Sequence, residues 1–155
     1  MKSIYYYDYP IGKIGIAEED GCITHVIFDG GEAPAGFEVA KTPLIEKAAT
    51  QLREYFAGKR TEFDLPLRLD GTPFQRAVWK ALQAIPWGET RSYKDIAVQV
   101  GNAKATRAVG MANNRNPIPI IVPCHRVVGS DGSLTGYGGG LSVKRHLLEL
   151  ETRCG

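Results

Sequence analysis

Thr-Pro occurs twice in this chain of 155 residues, at Thr42-Pro43 and Thr72-Pro73, and each pair predicts the start of a helix. A threonine hydroxyl accepts from a backbone N–H in the first turn, and proline at the first helical position gives up no intrahelical hydrogen bond. After the first pair, Ile45, Ala49, Leu52 and Phe56 recur at helical spacing, and Gly58 stands where a C-cap belongs. After the second, Phe74, Val78, Leu82 and Ile85 mark one apolar face. Gln75 takes the capping-box position there, and Pro86-Trp87-Gly88 ends the run.

The residues ahead of the first pair have a different rhythm. Ile4 to Tyr9 is aromatic and β-prone, and Ile14 and Ile16 alternate with Gly15 and Ala17. Glu19-Asp20-Gly21 is a turn signal before Cys22 to Phe28, so an antiparallel meander or hairpin is expected. Residues 29–41, rich in Gly, Ala and Pro, read as a loop, and Thr61 to Leu69 offers one more extended segment. These elements make an N-terminal α/β lobe over residues 1–71, with a linker around Leu69 to Gly71. The remainder, 72–155, forms a second and mostly helical lobe. In it Ser92 caps a helix carrying Ile96, Ala97 and Val100, and Gly101-Asn102 turns the chain. Ala105 to Asn113 follows as a helix with Ala108, Val109 and Ala112 toward the core; the spacing of Ala97 and Gly101 fits a helix-turn-helix loosely. Ser142 is expected to cap a last helix with Val143, Leu147 and Leu150 inward. The fold class is α+β.

Charge divides unevenly between the two parts. Residues 1–71 carry a net −4 and residues 72–155 a net +6. A basic second lobe suits contact with a polyanion, although an uneven surface needs no partner to explain it. No apolar run reaches membrane-spanning length, and the N-terminus lacks the apolar core of a signal peptide. Three cysteines at irregular spacing (Cys22, Cys124, Cys154) argue against a disulfide framework and for a reducing, cytoplasmic compartment. Cys22 and His25 are three apart, with no second ligand pair. Strand alternation would point them to opposite faces, so no metal site is expected.

Chemistry concentrates at Ile121-Val122-Pro123-Cys124-His125-Arg126-Val127, where a cysteine directly precedes a histidine at the end of a buried-looking apolar run. A thiol is strongly nucleophilic only as thiolate, and a neighbouring imidazole can lower its pKa from about 8.5. An isolated Cys-His pair is as readily a small core cysteine beside a polar neighbour. Three functional classes stay open at this point: an acceptor or transfer enzyme, a cysteine hydrolase that turns over, and a non-catalytic DNA-binding module.

The context narrows them. Phe74-Gln75-Arg76-Ala77-Val78-Trp79, Gly88-Glu89-Thr90-Arg91-Ser92-Tyr93, Arg107-Ala108-Val109-Gly110 and Asn116-Pro117 precede Pro-Cys-His-Arg-Val in order. Gly139-Gly140-Leu141 and a helix from Lys144 to Glu151 follow it. Together these resemble the O6-alkylguanine-DNA alkyltransferases, densely over residues 72–151 and over 1–71 only in length and element order. The resemblance implies a ribonuclease-H-like N-terminal lobe, and a helical lobe with a winged-helix or helix-turn-helix element. It implies that Cys124 takes the alkyl group of O6-alkylguanine onto its own sulfur once, with no cofactor. A thiolate suits attack on a saturated carbon, and the thioether formed is not reversed by ordinary thiol chemistry. The alternatives, a hydrolase or a lesion-binding module, fit the resemblance less well.

The resemblance also distributes roles. His125 is the base, acting through a water because neighbours on an extended strand point apart. Glu151 steadies the imidazole, with Glu149 close enough to compete. Asn116, held extended before Pro117, organises the water and thiol. Tyr93 protonates the departing base. Arg107 fills the hole left when the nucleotide is flipped out, since O6 lies inside the stack. Lys94, Asn102 and Ser130 touch the DNA backbone, and the helix bearing Arg107 enters the minor groove, where the small Ala105 and Ala108 allow close approach. Tyr137 and Gly138 line the base pocket. Glycine at 138, where many relatives carry serine or alanine, leaves room for bulkier alkyl groups and O4-methylthymine; Asn113 stands where some relatives have an apolar residue. Without the resemblance, each of these is an ordinary polar, packing or loop residue. A monomer bound to duplex DNA is expected.

Overall fold

A computed structural model of the chain describes residues 1–29, 31–134, 137 and 140–154. Contacts divide the chain into two compact units, Met1–Leu69 and Asp70–Gly155. Among the described residues, no helix is long and apolar enough to cross a membrane.

The first unit is a four-stranded sheet with one helix. The strands are β1 (Lys2–Tyr9), β2 (Gly12–Glu19), β3 (Cys22–Ile27) and β4 (Glu38–Val39), in the order β3-β2-β1-β4. The first three form the expected antiparallel meander. β4 lies in the segment expected to be loop: it pairs parallel with β1 at Ser3 and Ile4. Two exposed residues carry too little alternation to announce a strand. Helix α1 (Pro43–Phe56) begins at Thr42, whose hydroxyl accepts from the Ile45 N–H at 3.1 Å. α1 lies on the sheet face that presents Tyr9, whose hydroxyl donates to the Ala49 carbonyl. Between α1 and that face sit Ile14, Ile16, Ile23, Val26, Ile45 and Leu52, all buried. The Thr61–Leu69 segment supplies a single bridge, Leu67 to Ile23.

A bulge in β3 overturns one expectation from strand alternation. Ile23 pairs with Glu18 while His25 pairs with Ala17, so Thr24 is extra. Cys22, opposite Glu19, and His25, opposite Ala17, therefore share a face, because residues two apart on β2 do. His25 turns to Thr24 Oγ1, 2.9 Å away, and stacks edge-on against Phe37. Among the described residues no group of three or more His, Cys, Asp or Glu could hold a metal ion. Gly15 makes room on the same face: a Cβ there would come within 2.8 Å of the Tyr6 ring.

The second unit holds α2 (Pro73–Gln83), β5 (Arg91–Ser92), α3 (Tyr93–Gln99), α4 (Thr106–Asn114), β6 (Val127–Val128) and α5 (Leu141–Cys154). Both arms of the α2 capping box are made: Gln75 N–H donates to Thr72 Oγ1, and Thr72 N–H to Gln75 Oε1. Ser92 and Asp95 form a second box on α3. Gly101, at φ +90°, makes the turn from α3 toward α4 that a residue with a Cβ resists. Trp79, almost fully buried, donates from its indole to the Ala112 carbonyl and pins α2 to α4. β5 and β6 form a short parallel pair. Two expectations need correcting. Ala108 is exposed, because Val109, Ala112 and Asn113 take the inner stripe of α4. α5 starts at Leu141, so Ser142 lies inside its first turn instead of capping it.

Candidate active site

Cys124 and His125 do not sit on an extended strand. Val122 N–H donates to the Ile118 carbonyl, and Cys124 N–H to the Val122 carbonyl across Pro123 at φ −80°, ψ 65°. That is an inverse γ-turn, and it feeds a single 3-10 turn, Cys124–Arg126. Proline sets this φ without strain. Just upstream, Ile120 is buried with φ at +74°. A β-branched residue there stores strain of about 1–3 kcal/mol. The loop is closed by Asn116, whose amide donates to the Val122 carbonyl at 2.8 Å while its oxygen accepts from Ile118 N–H at 2.9 Å. Asn113, from the end of α4, donates to the Cys124 carbonyl at 3.2 Å.

Behind the thiol lies a buried ionic network. His125 Nε2 meets Glu151 Oε2 at 2.6 Å. Arg126 donates from Nε to Glu151 Oε1 at 2.8 Å, from Nη2 to Oε2 at 3.0 Å, and from Nη1 to the Ile85 carbonyl at 2.6 Å. Glu151 is 1% exposed, whereas Glu149 faces solvent, so Glu151 is the carboxylate that reaches the histidine. Burial alone would raise the Glu151 carboxyl, but His125 and Arg126 hold it at about 2. Burial lowers the His125 pKa, and the Arg126 and Lys144 charges add to this, against the pull of Glu151. His125 is thus a neutral imidazole at neutral pH. A neutral ring facing a carboxylate donates through Nε2, which leaves Nδ1 as the basic nitrogen.

The thiol itself departs from the expectation that a neighbouring imidazole acidifies it. Burial pushes Cys124 up to about 11, only partly offset by hydrogen bonds from Asn116 and Tyr137 and by the Lys144 charge. The resting group is a neutral thiol, 4% exposed. Lys144 is the residue that sequence reasoning passed over. Fully buried on α5, it donates from Nζ to the Val127 carbonyl at 2.7 Å and lies 6.0 Å from the centre of the Tyr93 ring. Its pKa is lowered by burial and raised by Cys124. The available signal was spacing: Lys144, Leu147 and Glu151 fall on one helical stripe with apolar neighbours.

The other expected residues separate into two groups. Tyr93, the first residue of α3, is half-buried, and its ring lies 3.9 Å from where a Cβ on Gly110 would stand. With Asn116, Tyr137 and Glu151 it clusters around Cys124, His125 and Lys144. Arg107, Lys94, Asn102 and Ser130 are all exposed and make no direct part of that cluster. Asn102 also folds its own turn, its side chain accepting from Lys104 N–H at 3.2 Å. Gly138 lies outside the described residues.

The chain matches known proteins along nearly its whole length. Residues 4–69 match the "6-O-methylguanine DNA methyltransferase, ribonuclease-like domain" and residues 73–153 the corresponding "DNA binding domain". It is 53% identical to a methylated-DNA–protein-cysteine methyltransferase of Methanosarcina barkeri, over 94% of this chain and 96% of that one. It is 50% identical to the constitutive enzyme of Bacillus subtilis, over 92% and 90%. A crystal structure of Mycobacterium tuberculosis OGT in complex with DNA superposes with a TM-score of 0.93 at 48% identity, covering 99% of this chain and 94% of that one. With a buried Cys-His-Glu arrangement inside the matched DNA binding domain, the chain belongs to the 6-O-methylguanine DNA methyltransferase family.

Proposed function

We propose that this protein repairs DNA by transferring the alkyl group of O6-alkylguanine to Cys124, once per molecule. The observation that carries the reading is a neutral buried thiol on the same 3-10 turn as a neutral imidazole anchored by Glu151. Cys124 Sγ attacks the alkyl carbon in line, the carbon–O6 bond breaks, and the guanine anion leaves. The thiol proton passes through a water to His125 Nδ1, and the Tyr93 hydroxyl protonates the departing ring. The proton held by His125 then returns through solvent to the Tyr93 oxygen, so the net products are a thioether and guanine, and no cofactor or co-reactant is needed. Glu151 and Arg126 keep the imidazole in the tautomer that can accept. A hydrolase would instead regenerate its thiol, and a binding module would have no use for one.

On this reading the exposed face of α4 enters the minor groove, Arg107 replaces the flipped nucleotide, and Lys94, Asn102 and Ser130 meet phosphates. Small Ala105 and Ala108 fit a groove about 6 Å wide. Tyr137 and Gly138 line the base pocket, whose glycine wall suits bulkier alkyl groups and O4-methylthymine. The protein acts as a monomer. The test is mass spectrometry after incubation with duplex DNA containing O6-methylguanine. One added methyl on Cys124, with product stopping at one per protein, is expected. Continued turnover on fresh DNA, or an unmodified Cys124 in a DNA-bound protein, would sink the proposal.

A further inference from the structure

We infer that Asn113 is a positioning residue for the alkyl transfer, orienting Cys124 through the carbonyl that its amide holds. The inference rests on the repair function proposed above. Asn113 is 1% exposed, one residue from the end of α4. Its Nδ2 donates to the Cys124 carbonyl at 3.2 Å. Its Oδ1 is buried and has no hydrogen-bond partner among the described residues. For packing alone, leucine or methionine would fill this space without stranding an acceptor, and stranded acceptors are rare in folded interiors. What asparagine adds at this position is the donor to the nucleophile's own residue.

The donor is well placed to matter. Asn116 holds the Val122 carbonyl and Asn113 the Cys124 carbonyl, so two amides fix the peptide groups on either side of Pro123 and Cys124. Together they set the direction of the Cys124 Cα–Cβ bond. α4 carries Arg107 on its exposed face six residues upstream, about 9 Å along the axis. The same turn that carries Asn113 is pinned to α2 by the Trp79 bond to Ala112. The helix proposed to meet DNA is therefore tied by a side chain to the residue proposed to react.

The experiment uses the full chain and a duplex carrying O6-methylguanine, with single-turnover transfer at saturating DNA and DNA affinity measured separately. Asn113→Leu is expected to lower the maximal transfer rate by about tenfold or more, with affinity within about twofold of wild type. Asn113→Asp keeps the shape, but its carboxylate cannot donate. Its rate relative to wild type is expected to recover as pH falls and the carboxyl becomes protonated. Transfer by Asn113→Leu at the wild-type rate overturns the inference. Should the leucine variant not fold, an Asp variant whose relative rate ignores pH overturns it as well. A wild-type Cys124 that gains no methyl overturns the repair reading itself. A methylated wild type alongside a full-rate Asn113→Leu overturns only the role of Asn113.

Discussion

Arg126 grips both carboxylate oxygens of Glu151, with Nε at 2.8 Å and Nη2 at 3.0 Å. The two residues are 25 apart in sequence, and the carboxylate is also shared with His125. A buried carboxylate so held is locked in place, and so is the ring it faces. Removing one partner leaves uncompensated charge inside the protein, which destabilises by about 3–5 kcal/mol.

Glu151→Gln should therefore be markedly less stable than wild type at pH 7, as read from urea denaturation. Acid should expose the same group. The folded value, about 2, lies below the ordinary 4.5, so its stabilisation is complete above pH 4.5. It is lost as pH falls through the window between those values. The wild-type urea midpoint should drop more steeply between pH 5 and 2.5 than that of Glu151→Gln. Parallel curves would contradict the assignment.

Iodoacetamide labelling of free Cys124 should keep accelerating up to pH 10, because burial pushes this thiol up to about 11. The modified residue is quantified by mass spectrometry against Cys22, which is half-buried. A labelling rate that levels off below pH 8 would mean a resting thiolate and rule out the neutral thiol.

Lys144→Met removes a buried cation that draws the Cys124 pKa down. Cys124 labelling at pH 9 should slow, by roughly tenfold for each pKa unit. An unchanged or faster rate would show that the Lys144 charge does not reach the sulfur.

Much of this architecture is legible locally. Thr42, Thr72 and Ser92 announce their helices because capping is chemistry between neighbours, and all three caps form. The apolar run from Ile118 to Val122 is buried as its composition implies. What stays hidden depends on distant partners. Nothing adjacent to Thr24 signals its bulge, which arises from register with β2. Arg126 reads as one more surface charge until α5 brings Glu151 to it, and Lys144 resembles any helix lysine until its carbonyl partner is in place. The Cys124–Arg126 turn reads as strand because the Ile and Val before it are β-prone, whereas its turn depends on the Asn116 and Val122 hydrogen bonds.

Lys94→Ala should weaken binding to undamaged duplex about uniformly across sequences and reduce the salt dependence by roughly one phosphate's worth, a slope change near 0.9. Titrations at several salt concentrations measure it, and an unchanged slope removes Lys94 from the interface.

Arg107→Ala should slow transfer from a paired lesion by roughly a hundredfold, as flipping a stacked base takes a few kcal/mol. A lesion opposite an abasic site, already loosened, should restore most of the rate. A loss of equal size on both substrates would give Arg107 some task other than holding the stack open.

The burial of Cys124 has a bearing on how long the protein keeps. With its pKa near 11, only roughly one molecule in 10⁴ carries a thiolate at pH 7. Oxidants and stray electrophiles attack thiolates, so the unengaged protein presents them with almost no target. For a molecule that reacts once, the count of intact copies is the cell's remaining capacity. A reluctant sulfur preserves that stock until a correctly seated lesion draws on it.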